Sequence, residues 1–227
     1  MMSIELFLPA FLAIQNSIWL TLLITLASFA LGQLVALPLA LALTSASKSL
    51  QYCASTYTFL VRGSPLLVQL FIVYYGFGQV EAIRESILWP VLRSALYCSI
   101  LTIGLNSAAY TSEVIAGAIR QLPKGQFEAA SALGLKYTVS LMKVVLPQVY
   151  RSILPAIGNE LVLVMKGSTL ASAVTVMEMT GAARIFVSKT YAPFETFLIA
   201  GAIYLVMGAM FGRIIRFIEN RVSIPER

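Results

Sequence analysis

The sequence has 227 residues, of which 59% are hydrophobic and 11% are charged, with a formal net charge of +6 and no histidine. Its mean hydropathy of +0.85 predicts an all-α integral membrane protein. A membrane-spanning helix needs about 20 apolar residues, so one domain of about five or six spans, residues 1–227, fills the chain. Without histidine, Ser-His-Asp, Cys-His and most zinc chemistry is excluded, and we expect no catalytic residue, metal ion or cofactor.

Apolar stretches predict five transmembrane helices, at about residues 19–43, 57–80, 93–119, 153–177 and 194–217. The segment before the first stretch has Glu5 but no basic residue, so we expect the first span to remain in the mature protein. Within the second stretch, Ser64 and Pro65 form a helix-start pattern, with serine as the N-cap and proline in the first turn. The sequence therefore predicts a bend or a new helix start at this point.

Basic residues divide unequally between the two sides of the membrane. One set of loops carries Lys48, Arg120, Lys124, Lys136, Lys143, Arg151, Arg213, Arg216, Arg221 and Arg227. The opposite set carries Arg84, Arg93, Arg184 and Lys189, together with Glu81, Glu85, Glu178 and Glu195. Because cytoplasmic loops are enriched in lysine and arginine, the N-terminus is predicted to be periplasmic and the C-terminus cytoplasmic. The anionic inner leaflet accounts for the net positive charge, and we expect no nucleic-acid partner.

Polar side chains recur along one face of the third predicted span. Asn106, Tyr110, Glu113 and Gly117 follow a spacing of i, i+4, i+7 and i+11, which places them on one side of a helix. Because an ionisable group in hydrocarbon is costly, this stripe is expected to face the interior of the helix bundle. Glu113 either attracts a cationic solute in a water-lined path or holds helices together, for example by pairing with Arg62.

The loop between the third and fourth spans, at about residues 121–152, is too long and too patterned for a simple connector. Residues 126–133 are rich in helix formers, and Gly134 is predicted to end this helix as its C-cap. One stripe of the helix holds Phe127, Ala130 and Leu133 or Gly134.

A second short helix is predicted in the same loop, from Thr138 to Leu146, with Pro147 ending it. A helical hairpin with an apolar face cannot bury that face against water. The hairpin is therefore expected to lie on the membrane surface or to dock onto a partner.

Two ionisable residues, Glu160 and Lys166, lie in the fourth predicted span. They are six residues apart, which is about 240° around a helix, so they are not expected to pair. A carboxylate in a water-lined cavity attracts a cationic or ammonium-bearing solute, so Glu160 is either a ligand contact or an interhelical hydrogen-bonding group. Lys166 either packs between helices or contacts a carboxylate of the solute.

The loop also carries a spaced set of residues that resembles the EAA motif of ABC importer permeases. The set consists of Glu128-Ala129-Ala130, Gly134, Val144 and Leu146-Pro147. The spacing matches throughout, and the one departure is Val144, where the family usually has isoleucine.

Further stretches resemble the polar amino acid subfamily of these permeases. The stretch RGSPLLVQ at 62–69 resembles the family's RGTPLLVQ, and NSAAYTSE at 106–113 resembles NSxAYxAE. Gly125-Gln126 precedes the EAA residues, as it does in the subfamily. Leu146-Pro147-Gln148, Pro155 and Asn159 continue the likeness, whereas KGSTL at 166–170 departs from the usual KxTSL order. The resemblance covers about residues 17–221, and Asn159-Glu160 makes it most similar to the M-type subunits of histidine and opine importers.

This resemblance implies the type I ABC importer permease fold, with five transmembrane helices and a cytoplasmic coupling helix that sits in a cleft of an ATPase subunit. The residues that it assigns to coupling are Gly125, Glu128, Ala129, Ala130, Gly134, Leu146 and Pro147. The chain has no G-x-x-x-x-G-K-[ST] sequence to hold a nucleotide, so the ATPase is expected on a separate chain.

The resemblance also implies a function, that of a non-catalytic permease subunit of an ATP-driven importer in the bacterial inner membrane. Its cargo would be a polar or basic amino acid or an opine. The expected partners are the ATPase, a second related permease, a periplasmic solute-binding protein and membrane lipid. The two permease chains would form a homodimer or a heterodimer, and the M-type likeness favours the heterodimer. The residues assigned to the substrate path are Asn106, Tyr110, Glu113, Asn159, Glu160 and Lys166.

Two other classes of protein remain as alternatives. A self-sufficient channel or secondary transporter would use the buried carboxylates, but it predicts inverted repeats, of which the two halves of the sequence show no convincing sign. An intramembrane enzyme without histidine would need a Ser-Lys or Glu-Glu arrangement, for which Lys166 with Ser168 is a poor candidate. Neither alternative explains the EAA spacing.

Overall fold

The computed structural model describes residues 4–123 and 125–222, and these residues form helices and connecting turns without a strand. Lys124 and Arg227, both in the basic set above, lie outside the described residues. The α-helices are α1 Phe7–Gln15, α2 Ile18–Leu43, α3 Lys48–Gly63, α4 Leu66–Phe71, α5 Glu81–Arg84, α6 Trp89–Leu92, α7 Ala95–Gln121, α8 Gly125–Ala132, α9 Tyr137–Ser140, α10 Leu146–Ser168, α11 Met179–Thr190 and α12 Pro193–Val222. Short 3-10 segments occur at Ile4–Leu6, Phe77–Gln79 and Thr169–Val174, and π-helical segments occur at Ile72–Gly76 and Leu141–Val145.

Within the described residues, α2 and α12 are each long and apolar enough to cross a membrane, with mean hydropathies of 2.1 and 1.9. The number of spans rises to four by the same criterion if each of two bent helix pairs is one span. These pairs are Lys48–Gly63 with Leu66–Gln79 and Tyr137–Val174 with Met179–Thr190. Helix α7 is long enough but too polar to qualify. The prediction of five spans therefore stays a prediction, although each predicted stretch coincides with a helix or a bent pair.

The bend predicted in the second stretch is present. Helices α3 and α4 meet at 104°, and the break lies at Ser64 and Pro65. Ser64 does not cap α4, because its hydroxyl donates backwards to the Leu60 carbonyl oxygen at 2.8 Å. Pro65 has an extended backbone and precedes the first helical residue, so the chain turns here because it cannot continue the helix through proline.

Helices α2 and α7 form the central pair of the bundle, and small residues allow their close approach. Ser28, Gly32, Ala36 and Ala40 are buried at intervals of four residues along α2. A Cβ atom placed on Gly104 of α7 would lie 2.9 Å from the Ser28 carbonyl oxygen. In a membrane, where lipid competes for apolar surface, such backbone proximity is the main source of helix association. Helix α10 packs against both members of this pair and against α12.

Buried apolar side chains gather in clusters near both ends of α7. A hairpin-side cluster contains Ala36, Leu43, Ile115, Val145, Val149 and Ile153, among others. An α11-side cluster contains Ile24, Leu70, Ile103, Val164, Ala171 and Val174, among others. The part of α7 between Ile103 and Ile115 therefore lies between two apolar layers, and this part carries the polar stripe.

Four helices were not foreseen from the sequence: α1 before the first span, the short α5 and α6 between the second and third spans, and α11 after the fourth. Glu178, predicted to lie in a loop outside the membrane, is instead fully buried at the N-cap of α11. One carboxylate oxygen accepts the Gly181 N–H at 2.9 Å, and the other accepts the Tyr204 hydroxyl at 2.7 Å. The Met179 N–H donates to the Thr21 hydroxyl of α2 at 3.1 Å. These bonds fasten the start of α11 to α2 and α12.

Candidate functional site

A cavity of about 240 Å³ lies between the two apolar clusters, and we call it the central cavity. It is lined by Leu66, Ile103, Asn106, Ser107, Tyr110, Glu160, Leu163 and Val164. Helices α4, α7 and α10 supply these side chains. Three of the residues predicted for a substrate path are thereby brought together around one cavity, to which α7 supplies the amide of Asn106 and the phenol of Tyr110 and α10 the carboxyl group of Glu160.

Asn106 is held by a chain of hydrogen bonds to the corner between α3 and α4. Its side-chain amide donates to Gln69 Oε1 at 3.1 Å. The Gln69 amide in turn donates to the Val61 and Ser64 carbonyl oxygens, at 2.6 and 3.0 Å, and to the Ser64 hydroxyl at 2.9 Å. The bend between α3 and α4 therefore fixes a polar group at the edge of the central cavity.

Glu113, which lies on the same predicted stripe, does not line the central cavity. Its carboxylate accepts the Thr58 hydroxyl at 2.9 Å and lies 3.6 Å from Arg62 Nη1, so it joins α7 to α3. The Arg62 guanidinium also lies over the Tyr110 ring, 5.4 Å from its centroid. Of the two roles considered for Glu113, this geometry is that of an interhelical tie beside the cavity.

Asn159 and Lys166 do not line the central cavity, but they lie on the exposed face of α10 that borders it, because Leu163 of the same face is part of its lining. Together with Leu163 they occupy positions i, i+4 and i+7, and all three side chains are exposed. As the six-residue separation predicted, Glu160 and Lys166 do not pair, and within the described ranges no carboxylate lies within 4 Å of the Lys166 amine. Polar and charged groups exposed on a membrane-embedded helix must face water or another protein, because hydrocarbon does not solvate them.

The loop after α7 folds as the predicted helical hairpin, from α8 to α9. Gly134 has a φ of +72°, a left-handed conformation that disfavours any residue with a Cβ. The Leu135 N–H donates to the Ala130 carbonyl oxygen at 3.1 Å and the Gly134 N–H to the Ser131 carbonyl oxygen at 2.9 Å. These two bonds form a Schellman motif, which ends α8 sharply and turns the chain.

The hairpin presents both polar and apolar side chains to its surroundings. Phe127 packs on the hairpin-side cluster and stacks on the Tyr137 ring, with centroids 5.8 Å apart, while Ala130 is buried. Leu133, predicted on the same stripe, is 79% exposed because it follows the last turn of α8, where the chain leaves the helix. Of the residues predicted to couple to an ATPase, Gly125, Glu128, Ala129, Gly134 and Pro147 are exposed, whereas Ala130 and Leu146 are buried.

Pro147 does not end the second helix of the hairpin, and that prediction is wrong. The π-helical segment Leu141–Val145 follows α9 directly, and α10 begins at Leu146 without a gap. Proline is accommodated because it lies in the first turn of α10, where its missing N–H would have no helical partner. The hairpin is thus joined to the cavity-lining helix α10 by continuous helical backbone.

Comparison with known proteins places these features in a family. The sequence matches the family model "Binding-protein-dependent transport system inner membrane component" over residues 29–224. It is 42% identical over 217 residues to the octopine transport system permease protein of Rhizobium meliloti, covering 96% of this chain and 88% of that protein. It is 38% identical over 219 residues to the nopaline transport system permease protein of Agrobacterium fabrum, covering 96% of this chain and 91% of that protein.

The fold is also found in a solved structure, the crystal structure of an amino acid ABC transporter with histidines. A chain of that transporter superposes with a TM-score of 0.84 at 32% identity, covering 97% of this chain and 99% of that one. The likeness therefore extends over the whole bundle, including the hairpin and the helices that line the central cavity.

Proposed function

The chain belongs to the family of binding-protein-dependent transport system inner membrane components, and we propose that it forms half of the path through which an ABC importer carries a polar or basic amino acid or an opine. The observation that carries this proposal is the central cavity. It holds Glu160, Asn106 and Tyr110 between two apolar clusters and lies beside the exposed, polar face of α10. A carboxylate in such a cavity suits a cargo with an ammonium or guanidinium group.

A second related permease chain would complete the path by covering the exposed face of α10. Asn159 and Lys166 on that face would then meet the partner or the water of the path instead of lipid. A periplasmic solute-binding protein would deliver the cargo, as the family description suggests. The likeness to the octopine and nopaline permeases supports an opine or a basic amino acid as cargo.

The hairpin from α8 to α9 is proposed to dock into a cleft of a separate ATPase. Its sharp Schellman turn at Gly134 and its exposed Glu128 and Ala129 give it a rigid end that another protein can approach closely. Because helical backbone runs from α9 through the π-helical segment into α10, a displacement of the hairpin would be transmitted to the helix that carries Glu160. ATP hydrolysis would thereby act on the cavity from a distance.

The proposed orientation places the hairpin in the cytoplasm and α11 on the periplasmic side of the inner membrane. Lys136, Lys143 and Arg151 lie at the hairpin end of the bundle, and Arg120 donates to the Leu43 carbonyl oxygen at 3.0 Å at the same end. Such a concentration of basic residues is typical of a cytoplasmic surface. The N-terminus would accordingly be periplasmic.

The test is uptake of radiolabelled arginine and octopine into proteoliposomes that contain this chain, its partner permease and its ATPase, supplied with the binding protein. We expect uptake to require ATP. We expect Gly134→Val to abolish it, because a β-branched residue is strained at a φ of +72° and the turn would open. Gly212→Ala in α12 is the control, since a Cβ there meets no atom within 4 Å and the residue lies outside the coupling set.

The assembled Gly134→Val complex should retain its melting temperature within a few degrees while ATP hydrolysis no longer responds to loaded binding protein. Solute flux through this chain without ATP would overturn the proposal in favour of a channel or a gradient-driven carrier. Equal, ATP-dependent uptake by the Gly134→Val and Gly212→Ala variants would exclude the turn at Gly134 as part of the coupling element.

A further inference from the structure

A second cavity lies at the other end of α10, beside α11, and we call it the α11-side cavity. Its volume is about 410 Å³, within the range of about 300–1,000 Å³ that is usual for small-molecule sites. It is lined by Ser172, Ala173, Thr175, Met177, Gly181, Arg184, Ile185 and Ser188. None of these residues lines the central cavity.

Arg184 gives this cavity a positive charge without a counter-charge. Within residues 4–123 and 125–222, no carboxylate lies within 4 Å of its guanidinium group. Arg62, by comparison, is paired with Glu113. A guanidinium group has five N–H donors in a planar fork and no acceptor, and that fork matches the two oxygens of a carboxylate. Arg184 is exposed, so its fork is open to a carboxylate that enters the cavity.

Thr175 contributes a strained backbone and a free hydroxyl to the same cavity. Its φ is 72°, and a β-branched residue in the left-handed region is a backbone outlier. Thr175 ends the preceding 3-10 segment in a left-handed conformation that glycine would adopt without strain. Threonine at this position therefore costs backbone strain but adds a hydroxyl group. That hydroxyl makes no hydrogen bond within the described part of the chain, whereas those of Ser172 and Ser188 donate to the carbonyl oxygens of Thr169 and Ile185.

The two cavities lie too far apart along the chain for one amino acid to fill both at once. Ser172 follows Glu160 by twelve positions, which corresponds to roughly 20 Å of helix. An amino acid is too short to reach both at once. Lys166 lies on the stretch between Glu160 and Ser172, and Glu178 at the start of α11 already accepts the Gly181 N–H and the Tyr204 hydroxyl.

We propose that the α11-side cavity is an entry site in which Arg184 and Thr175 bind the carboxylate of the incoming amino acid or opine before it reaches the central cavity. This inference rests on the proposed function, which makes the cargo a carboxylate and places α11 on the periplasmic side. The carboxylate engages the guanidinium fork, and the Thr175 hydroxyl donates to it. The cationic end of the cargo is left free to move toward Glu160.

The test compares ATP-driven uptake of arginine and octopine by the complete importer carrying wild-type, Arg184→Gln, Arg184→Lys or Thr175→Gly permease. We expect Arg184→Gln to raise the cargo concentration for half-maximal uptake about tenfold, the usual loss for one charge-assisted hydrogen-bonded contact. Arg184→Lys should recover part of that loss. Thr175→Gly relieves backbone strain and should leave the melting temperature unchanged or higher, yet weaken uptake severalfold because it removes the hydroxyl.

Lys189→Gln provides the matched control, because Lys189 lies on the same helix and lines a neighbouring cavity with Ala13 and Phe186. It should leave half-maximal uptake unchanged. A second arm measures equilibrium binding of radiolabelled arginine to the importer in detergent without binding protein, with argininamide, which lacks the carboxylate, as competitor. Arg184→Gln should weaken arginine binding and leave argininamide binding unchanged.

Uptake that depends on ATP but is the same for wild type and Arg184→Gln would overturn the entry site and leave the proposed function intact. Failure of the wild type to take up either probe would overturn the proposed function itself. Arg184→Gln could instead change only the binding-protein concentration for half-maximal uptake and leave arginine binding in detergent unchanged. In that case Arg184 contacts a carboxylate of the binding protein, and the proposal that it binds the cargo is wrong.

Discussion

Under the proposed function, the single residue Glu160 would decide which solutes the central cavity accepts. It is the one acidic side chain among the residues that line that cavity, beside the amide of Asn106 and the phenol of Tyr110. A negative charge between two apolar layers attracts a cation strongly, because little water is present to screen it. Selectivity for a guanidinium or ammonium group would follow from this single carboxylate.

Glu160→Gln is therefore expected to raise the concentration of arginine for half-maximal uptake about tenfold, and to affect uptake of uncharged glutamine much less. The measurement is competitive uptake of the two amino acids into proteoliposomes. Glu113→Gln is the control, because Glu113 pairs with Arg62 beside the cavity and does not line it. A similar loss for arginine and glutamine, or the same effect from both variants, would contradict a direct contact between Glu160 and the cargo.

Glu178 marks the limit of what the sequence could reveal about single residues. In the sequence it is an acidic residue just after an apolar stretch, a pattern typical of a solvated loop. Its burial depends on the Tyr204 hydroxyl, 26 residues away, and on the Gly181 N–H of a helix that the hydropathy pattern did not predict. Gly134, by contrast, was predictable, because the turn needs only its own φ and two local hydrogen bonds.

The pairing of α2 with α7 shows how small residues fix the arrangement of elements. Ser28 and Gly32 on α2 meet Gly104 on α7 so closely that a Cβ on Gly104 would lie 2.9 Å from the Ser28 carbonyl oxygen. Since α7 also carries Asn106 and Tyr110, the crossing sets the position of one wall of the central cavity. The crossing itself was not foreseen, since small residues within a span have no periodic hydropathy signal.

Gly104→Val is expected to force α2 and α7 apart and to destabilise the chain by about 1–3 kcal/mol, the usual cost of overpacking. Its melting temperature in mild detergent should fall, as followed by fluorescence-detected size-exclusion chromatography. Gly117→Ala serves as the control on the same helix, because a Cβ there meets no atom within 4 Å. An unchanged melting temperature for Gly104→Val would show that the crossing is looser than the structure indicates.

Elements with a long apolar run were predictable, and short mixed elements were not. The stretches at 19–43 and 194–217 correspond to α2 Ile18–Leu43 and α12 Pro193–Val222, because continuous apolar sequence gives both length and position. Helix α11 is short and mixes small, polar and apolar residues without a long apolar run, so nothing distinguished it from a loop. The π-helical segment before α10 was missed for a similar reason, since proline suggested an end where the chain needed only a local change of winding.

The whole molecule presents one face that does not suit lipid. Asn159 and Lys166 are exposed on α10, near the central cavity, whereas α12 exposes Leu205 and Val206, at 74% and 65%, as a lipid-facing helix does. The sequence predicted the polar residues but not their division between cavity and surface. That division depends on how α10 is rotated against α7, which periodicity alone does not determine.

Asn159→Cys, in a Cys53→Ser background, is expected to cross-link to the second permease chain in the complete importer. A benzophenone maleimide attached there captures any neighbouring carbon, and Cys98 is buried, which limits competing modification. Immunoblotting should show an adduct of two permeases for Asn159→Cys and only lipid adducts for Leu205→Cys. Lipid adducts alone at both positions would show that the polar face of α10 does not meet a partner.

The two apolar clusters next to the central cavity also affect how readily ions leak through the permease. Along α7, Ile103 lies on one side of the polar stripe and Ile115 on the other, each buried within its own cluster. Within this chain's own bundle, water held beside Asn106 and Glu160 would therefore not extend as an unbroken column from one surface to the other. A proton or a sodium ion crossing either layer would lose its hydration, a cost of several kcal/mol. If the second permease chain has apolar layers at the same two levels, we expect the importer to be electrically tight at rest, so that accumulating a nutrient does not discharge the membrane potential on which the cell's other transporters depend.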